Sequence, residues 1–366
     1  MSKIVLSLII SGTLIIELTS HGNDCRGQVK HVETQKERID HAIKQLEVVV
    51  SNSKSWRQGD VLWKHETHFD SFDTPKKVLD QQIVDANKLG GVVKSTSWNR
   101  FVFDYENDRY CWLSRVEIEQ TNFETTARNR IQETAYIVDR LKKRAFNRVF
   151  PNPRSVMDFS RLDSLPVGFP DLRDIGLGDR PTSNSFHLGQ QWLKELRHAA
   201  QDAQLSQNGE RILVVFEHPA QTIQDFDNGG ELTAVNFDER SFDAHSLMPI
   251  HFRMWGKVKN RADMGGPRST FQWTENEGIY LPKSVQSTQF AQRPIYGTPQ
   301  FGWEDSRIDF HWFSINKPID EGVYDGSILD SGESFHRMID PHESRATYLI
   351  ECEEKKKPKI ELKSKQ

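Results

Sequence analysis

The chain has 366 residues and a formal net charge of -4, with 48 Lys and Arg against 52 Asp and Glu, so bulk charge gives it no pull toward nucleic acid. That length can bury a sizeable core, as one large β-rich domain or two smaller ones. Its three cysteines, Cys25, Cys111 and Cys352, are spaced too widely for a Cys-x-x-Cys metal knuckle or redox motif.

At the N-terminus, Lys3 precedes an almost uncharged run over residues 4–18, and small residues Ser20 and Gly22 occupy the -3 and -1 positions of a cleavage site. This is the pattern of a secretory signal peptide over 1–22, cut after Gly22, and it predicts a periplasmic or secreted protein. Glu17 interrupts the run, and about 20 apolar residues are needed to span a bilayer, so no membrane anchor is expected after cleavage. Asn23 and Asp24 stand where a lipidation signal before Cys25 needs small apolar residues. In an oxidising compartment Cys111 and Cys352 are a candidate disulfide, and three free thiols are the alternative.

Thr34 followed by Glu37 makes a capping box, after which Ile39, Ala42, Ile43, Leu46, Val49 and Val50 share one helical face. A strand over 60–69 puts Val61 and Trp63 on one side. Residues 91–98 then feed a long aromatic hairpin. Phe101, Phe103 and Tyr105 alternate outbound, Glu106-Asn107-Asp108 turns, and Tyr110 and Trp112 return opposite Cys111 and Leu113. Strands at 135–138 and 144–150 flank an Asp139-Arg140 turn, and the polar piece 122–132 is a loop or a strand tip. From 151 to 185 the composition shifts to Pro, Gly, Asp and Ser, a long excursion that is either a linker or a lid across a groove. A second helix from Ser185 carries Leu188, Trp192, Leu196, Ala199, Ala200 and Ala203 as its apolar stripe.

Strands resume at 212–216, 232–237 and 249–255, followed by a hairpin of 270–274 with 278–285. The last, 307–315, sets Ile308, Phe310 and Trp312 against Asp309, His311 and Phe313. Two helices cannot supply the crossovers of a parallel fold. The reading is therefore mainly β (α+β): a single large curved antiparallel sheet, or half-barrel, of about 11 strands with an N-terminal helix and a mid-chain helical lid. The domain spans 23–345 with its excursion at 151–205, and 346–366 is a C-terminal strand and basic tail.

No constellation carries chemistry. His65 and His68 are three apart on a strand, so they point to opposite faces and do not make the zinc-protease pair. Residues 225–236 lack the ligands of a calcium loop. Asp309 with His311, and His251 with Arg253, are same-face pairs of the kind exposed strands produce constantly. Asp104, Glu106, Asp108 and Asp139 belong to turns. No catalytic residue, metal or cofactor is expected.

Three stretches carry a resemblance. They are Val235-Asn236-Phe237-Asp238 leading to Leu247-Met248-Pro249-Ile250-His251; the run from Trp273 to Lys283; and Asp309-Phe310-His311-Trp312 through Asn316, with Ile319 to Tyr324 and Ile339-Asp340-Pro341 beyond. These resemble secreted proteins of unknown function from planctomycete-type bacteria, and the order of elements over 34–341 resembles the half-barrel of the LolA-like and LppX-like outer-membrane lipoprotein carriers. The resemblance implies a concave face, lidded by helices, that holds an acyl chain or other apolar ligand. Residues expected to line such a cavity are Phe103, Trp112, Phe252 and Phe310 from the sheet and Trp192 and Leu196 from the lid. The functional expectation is an exported, non-enzymatic protein binding an apolar or amphipathic ligand (a lipid, an acyl chain) or an envelope protein. A structural or interaction module with a filled core is the alternative, and a secreted hydrolase the remaining class.

Overall fold

The computed structural model describes residues 33–71, 91–122, 125–157, 171–177, 186–225, 230–258, 264–295, 298–330 and 335–339. The leader, Cys25, Cys352, residues 226–229 of the calcium-like loop and the C-terminal strand and tail lie outside them.

Helix α1 (Gln35–Lys54) begins at the expected capping box, where the Glu37 amide donates to Thr34 Oγ1 at 3.3 Å and the Thr34 amide to Glu37 Oε2 at 2.7 Å. Its apolar face is the one the spacing sets out, with Ile39, Ala42, Ile43, Leu46, Val49 and Val50 all buried. Strands β1 (Gln58–Ser71), β2 (Gly91–Asp104), β3 (Arg109–Asn122), β4 (Thr125–Asp139), β5 (Arg144–Val149) and β6 (Ser155–Val156) follow. Helix α2 (Phe186–Ala199) then leads into β7 (Asp202–Asn208), β8 (Arg211–Glu217), β9 (Gln221–Asp225), β10 (Gly230–Asp243), β11 (Pro249–Val258), β12 (Met264–Asn276), β13 (Ile279–Ile295) and β14 (Thr298–Ile315). A short α3 (Phe335–Ile339) comes last among the described elements.

All the strands join one curved, unclosed antiparallel sheet of fourteen, in the order β6-β5-β4-β3-β2-β1-β14-β13-β12-β11-β10-β8-β7, with β9 beside β10. The two halves of the chain meet where β1 pairs with β14, Trp63 opposite Phe310. Three strands exceed the sequence reading, β6, β7 and β9. Of β7 only Ala203 is buried, and both residues of β6 are exposed, so neither shows the alternation by which a strand is recognised. The second helix also needs correction. It stops at Ala199, which is exposed, Ala203 belongs to β7, and Leu193 joins Leu196 on the buried face. In the polar piece at 122–132, Asn122 ends β3 and 125–132 belong to β4.

Nearest the turn at 105–108 the sheet is packed on its inner face, and β1–β5 on their outer face as well. On the inner face α1 and α2 bury Leu46, Val49, Leu193 and Leu196 against Val214 and Phe216 of β8 and Phe242 of β10. Beside them Val61, Trp63, Phe101, Phe103, Phe252, Phe271, Val285 and Ile308 form an aromatic-rich core. The excursion enters this core. Leu172 and Ile175 are fully buried in it, and Leu177 joins the helical cluster. Gly176 has φ +85°, and a Cβ there would lie 2.5 Å from the Pro249 ring, so only glycine lets the segment pass. On the outer face of β1–β5, Tyr324, Leu329, Phe335, Met338 and Ile339 cover Val102, Cys111, Leu113, Ala135 and Ile137.

Candidate functional site, a polar band across the strands

Halfway along, the same strands change character. On the inner face of β1 Val61 and Trp63 give way to His65 and Thr67; on β14, read backwards, Trp312, Phe310 and Ile308 give way to Ser306. The register lines the new residues up. Ser269, Ser287, Ser306, Thr67 and Ser95 are successive cross-strand partners from β12 through β13, β14 and β1 to β2. Because side chains alternate, the flanking rows project from the other face. One runs Arg268, Thr288, Asp305, His68, Lys94, and the second His251, Thr270, Gln286, Arg307, Glu66, Thr96.

Residues of all three rows line an open cavity of about 610 Å3, those facing it through their side chains and the alternating ones through their backbone. Every one of its lining residues is polar, and half are Ser or Thr. Within it the Ser287 and Ser306 hydroxyls bond at 2.7 Å, and Thr288 Oγ1 donates to Asp305 Oδ1 at 2.6 Å. Glu66 pairs with Lys64 at 2.7 Å, and Arg307 makes two bonds to Asp309, 2.8 and 3.1 Å long. Lys94 and Arg268 are exposed and make no ion pair among the described residues. His251 is held below its ordinary value by burial, and Arg253, Arg211 and Arg268 add to that against the opposing pull of Glu239, so it enters the band as a neutral imidazole near pH 7. A second row out, Phe290 and Trp303 are cross-strand partners 53% and 40% exposed, their rings T-shaped at 6.0 Å.

The residues expected to line an apolar cavity lie elsewhere. Phe103, Trp112, Phe252 and Phe310 share the aromatic core, Phe103 and Phe252 fully buried. Trp192 and Leu196 belong to the helical cluster. Trp192 and Phe252 meet on the buried Arg240, whose guanidinium lies 4.6 and 4.5 Å from their rings. Arg240 also binds Asp238 at 2.9 and 3.0 Å and donates to the Gly176 carbonyl at 3.2 Å, fixing the excursion to the sheet. Cys111 is a free, buried thiol that burial pushes up to about 12, and its candidate partner Cys352 lies outside the described residues.

The carboxylates weighed for chemistry are committed to neighbours. Asp309 is taken by Arg307 rather than His311, whose ring instead meets Phe313 at 4.9 Å. Arg253 is bound by Glu239. Asp104 accepts from Asn107 and Arg109, and Asp139 from the Lys142 amide, as turn residues do. Among the described residues no group of three or more His, Cys, Asp or Glu is placed to hold a metal, and no helix is long and apolar enough to cross a membrane.

Sequence reasoning passed over the band because its signal is two-dimensional. Ser95, Ser269, Ser287 and Ser306 are unremarkable on their own strands and align only once the register is known.

No known family matches the sequence, and no curated protein does. Among solved structures, the chain is similar to a DUF1329 family protein from Desulfovibrio piger, at 9% identity and a TM-score of 0.29, covering 80% of this chain and 99% of that one. It is also similar to a β-barrel-like protein of the domain of unknown function DUF1849 from Brucella abortus, at 12% identity and a TM-score of 0.25, covering 71% and 100%. No residue role is carried over from either, and neither is named as a lipoprotein carrier.

Proposed function

We propose that this chain is an exported, non-enzymatic binding protein of the cell envelope, a half-barrel with a filled interior that engages its ligand through the polar band. The observation that carries this reading is the placement of Leu172 and Ile175. An acyl-chain carrier needs an open apolar space beneath its helices, and here the chain's own side chains occupy the inner aromatic core with no exposure. The cavity at hand is lined by polar residue types, and its volume falls within the roughly 300–1,000 Å3 of small-ligand sites. Export rests on the leader pattern of residues 1–22.

Native mass spectrometry with lipid extraction, on protein purified from its own envelope, tests both parts. The expected result is a mature chain beginning at Asn23, at its bare mass, with no acyl lipid in the extract. A stoichiometric acyl lipid would overturn the filled-interior reading in favour of a carrier whose excursion moves aside. An intact Met1 in cytoplasmic fractions would overturn export.

A further inference from the structure

Beyond β4 the sheet is covered for only part of its length. β5 pairs with β4 opposite 134–139, and the Phe150 amide adds a last bond to the Glu133 carbonyl. Pro151 has no amide to continue the ladder. β4 itself begins at Thr125, so over 125–132 it has β3 on one side and, among the described residues, no strand on the other. Alternate residues there turn their N–H and C=O groups to the open side, a template for a further strand. Asn129, Arg130, Ile131 and Gln132 are all exposed, Ile131 to 60%.

The described residues end beside this edge. α3 packs over Val102, Cys111 and Leu113, and its Phe335 ring meets Phe150 at 4.7 Å, edge to face. The Met338 carbonyl accepts from Arg100 at 2.9 Å. Residues 340–345 then reach at most about 20 Å, several strand spacings. After them comes Ala346-Thr347-Tyr348-Leu349-Ile350-Glu351-Cys352, a run rich in strand-forming residues that ends at the charged tail. A segment on so short a linker docks at high effective concentration, whereas a separate chain bears the full cost of association.

We propose that residues 346–352 add to this edge as a strand antiparallel to β4, in the column that β5 leaves at Phe150, and so shield the edge from pairing with other chains. Entry from α3 sets the direction, because the chain arrives at the Glu133 end and runs toward Thr125. With Tyr348 opposite Ile131, Glu351 falls opposite Arg128: an aromatic–aliphatic pair and an opposite-charge pair, both of the kinds that stabilise antiparallel strands. The same register sets Cys352 opposite Ala127. Cys111 is the cross-strand partner of Ile137, which puts the two cysteines roughly 34 Å apart along the strands at ~3.4 Å per residue, beyond the reach of a disulfide. None of this depends on the polar band.

Hydrogen exchange on the full mature chain tests the added strand. Amides over 125–132 that β3 leaves unpaired should exchange at least about tenfold more slowly in the parent than in a Leu349→Pro, Ile350→Pro double variant, which removes whichever of these two amides faces β4. Glu351→Arg, which sets like charges opposite each other, should loosen the same amides by a smaller factor. The amides of Phe101 and Phe103 should not change in either variant. Equal exchange over 125–132 in parent and double variant would overturn the proposal, as would a Cys111–Cys352 disulfide in a non-reducing peptide map. Protection in the parent that falls on dilution would give the edge to a second copy of the chain, and overturn it as well.

Discussion

The two halves of this sheet are built from the same strands and solve different problems. Toward the turn at 105–108 the strands are covered inside by helices and excursion, and β1–β5 also outside by residues of 319–330 and 335–339, and their residues are Phe, Trp, Val and Ile. Away from that turn the inner row is Ser and Thr, and the outer rows are charged and solvated. Burial is what stabilises the first half, at about 25 cal/mol per Å2 of apolar surface removed from water, and the second half has little apolar surface to remove. Its register is instead held by the ladder that the packed half pins, so its side chains are free to be chosen for recognition.

The sharpest test of that division uses two residues of β2. Phe101 lies fully buried in the aromatic core, and Phe101→Ala should cost about 3–5 kcal/mol in urea unfolding. Ser95, on the same face six residues earlier, should tolerate Ala within about 0.5 kcal/mol. Comparable losses at both positions would mean that the hydroxyl row is core, and the comparison would collapse.

The contrast also explains which parts of the molecule the sequence made legible. Where one face is buried against a generic apolar layer, the period shows: the α1 stripe from Ile39 to Val50, Phe101 with Phe103, and Ile308 with Phe310 all fall where spacing puts them. The curved antiparallel sheet followed from them. What the period conceals is contact between distant segments. No pattern within 151–185 announces that Leu172 and Ile175 are buried in the aromatic core, because a buried Leu in a Pro- and Gly-rich stretch reads as a loop residue. The six side chains expected around a cavity belong to the same two clusters as Leu172, Ile175 and Leu177. Strands β6 and β7 were missed because edges need no buried face.

A smaller effect sharpens the comparison from the polar side. Ser269 is buried, and its Oγ has no hydrogen-bond partner among the described residues. Burying a hydroxyl without a partner costs stability, so Ser269→Ala should be neutral or should stabilise by up to about 1 kcal/mol in the same unfolding experiment. A neutral or stabilising result would show that the inner hydroxyl row is not what holds this half of the sheet together. A clear loss of stability would instead show that Ser269 holds the ladder together.

The least effect concerns pH and belongs to the packed half. Arg38 of α1 binds Asp202 at the start of β7 through bonds of 2.9 and 2.8 Å, tying the helical cover to the sheet edge. The Arg38 hydrogen bonds hold the Asp202 carboxyl below its ordinary value of 3.8; burial opposes this, and the Ala203 amide assists. A folded-state value below the unfolded one gives stability that is present above the unfolded value and disappears as pH falls through the folded one. The parent protein should therefore melt above Asp202→Asn at neutral pH, by about 1–2 °C given the pair's partial exposure. The gap should close as pH falls below 3.8 and through the lower folded-state value, where the parent carboxyl is itself protonated. A gap that persists in acid would assign the effect to lost packing between α1 and β7, and the helical cover would then depend on shape rather than on this charge.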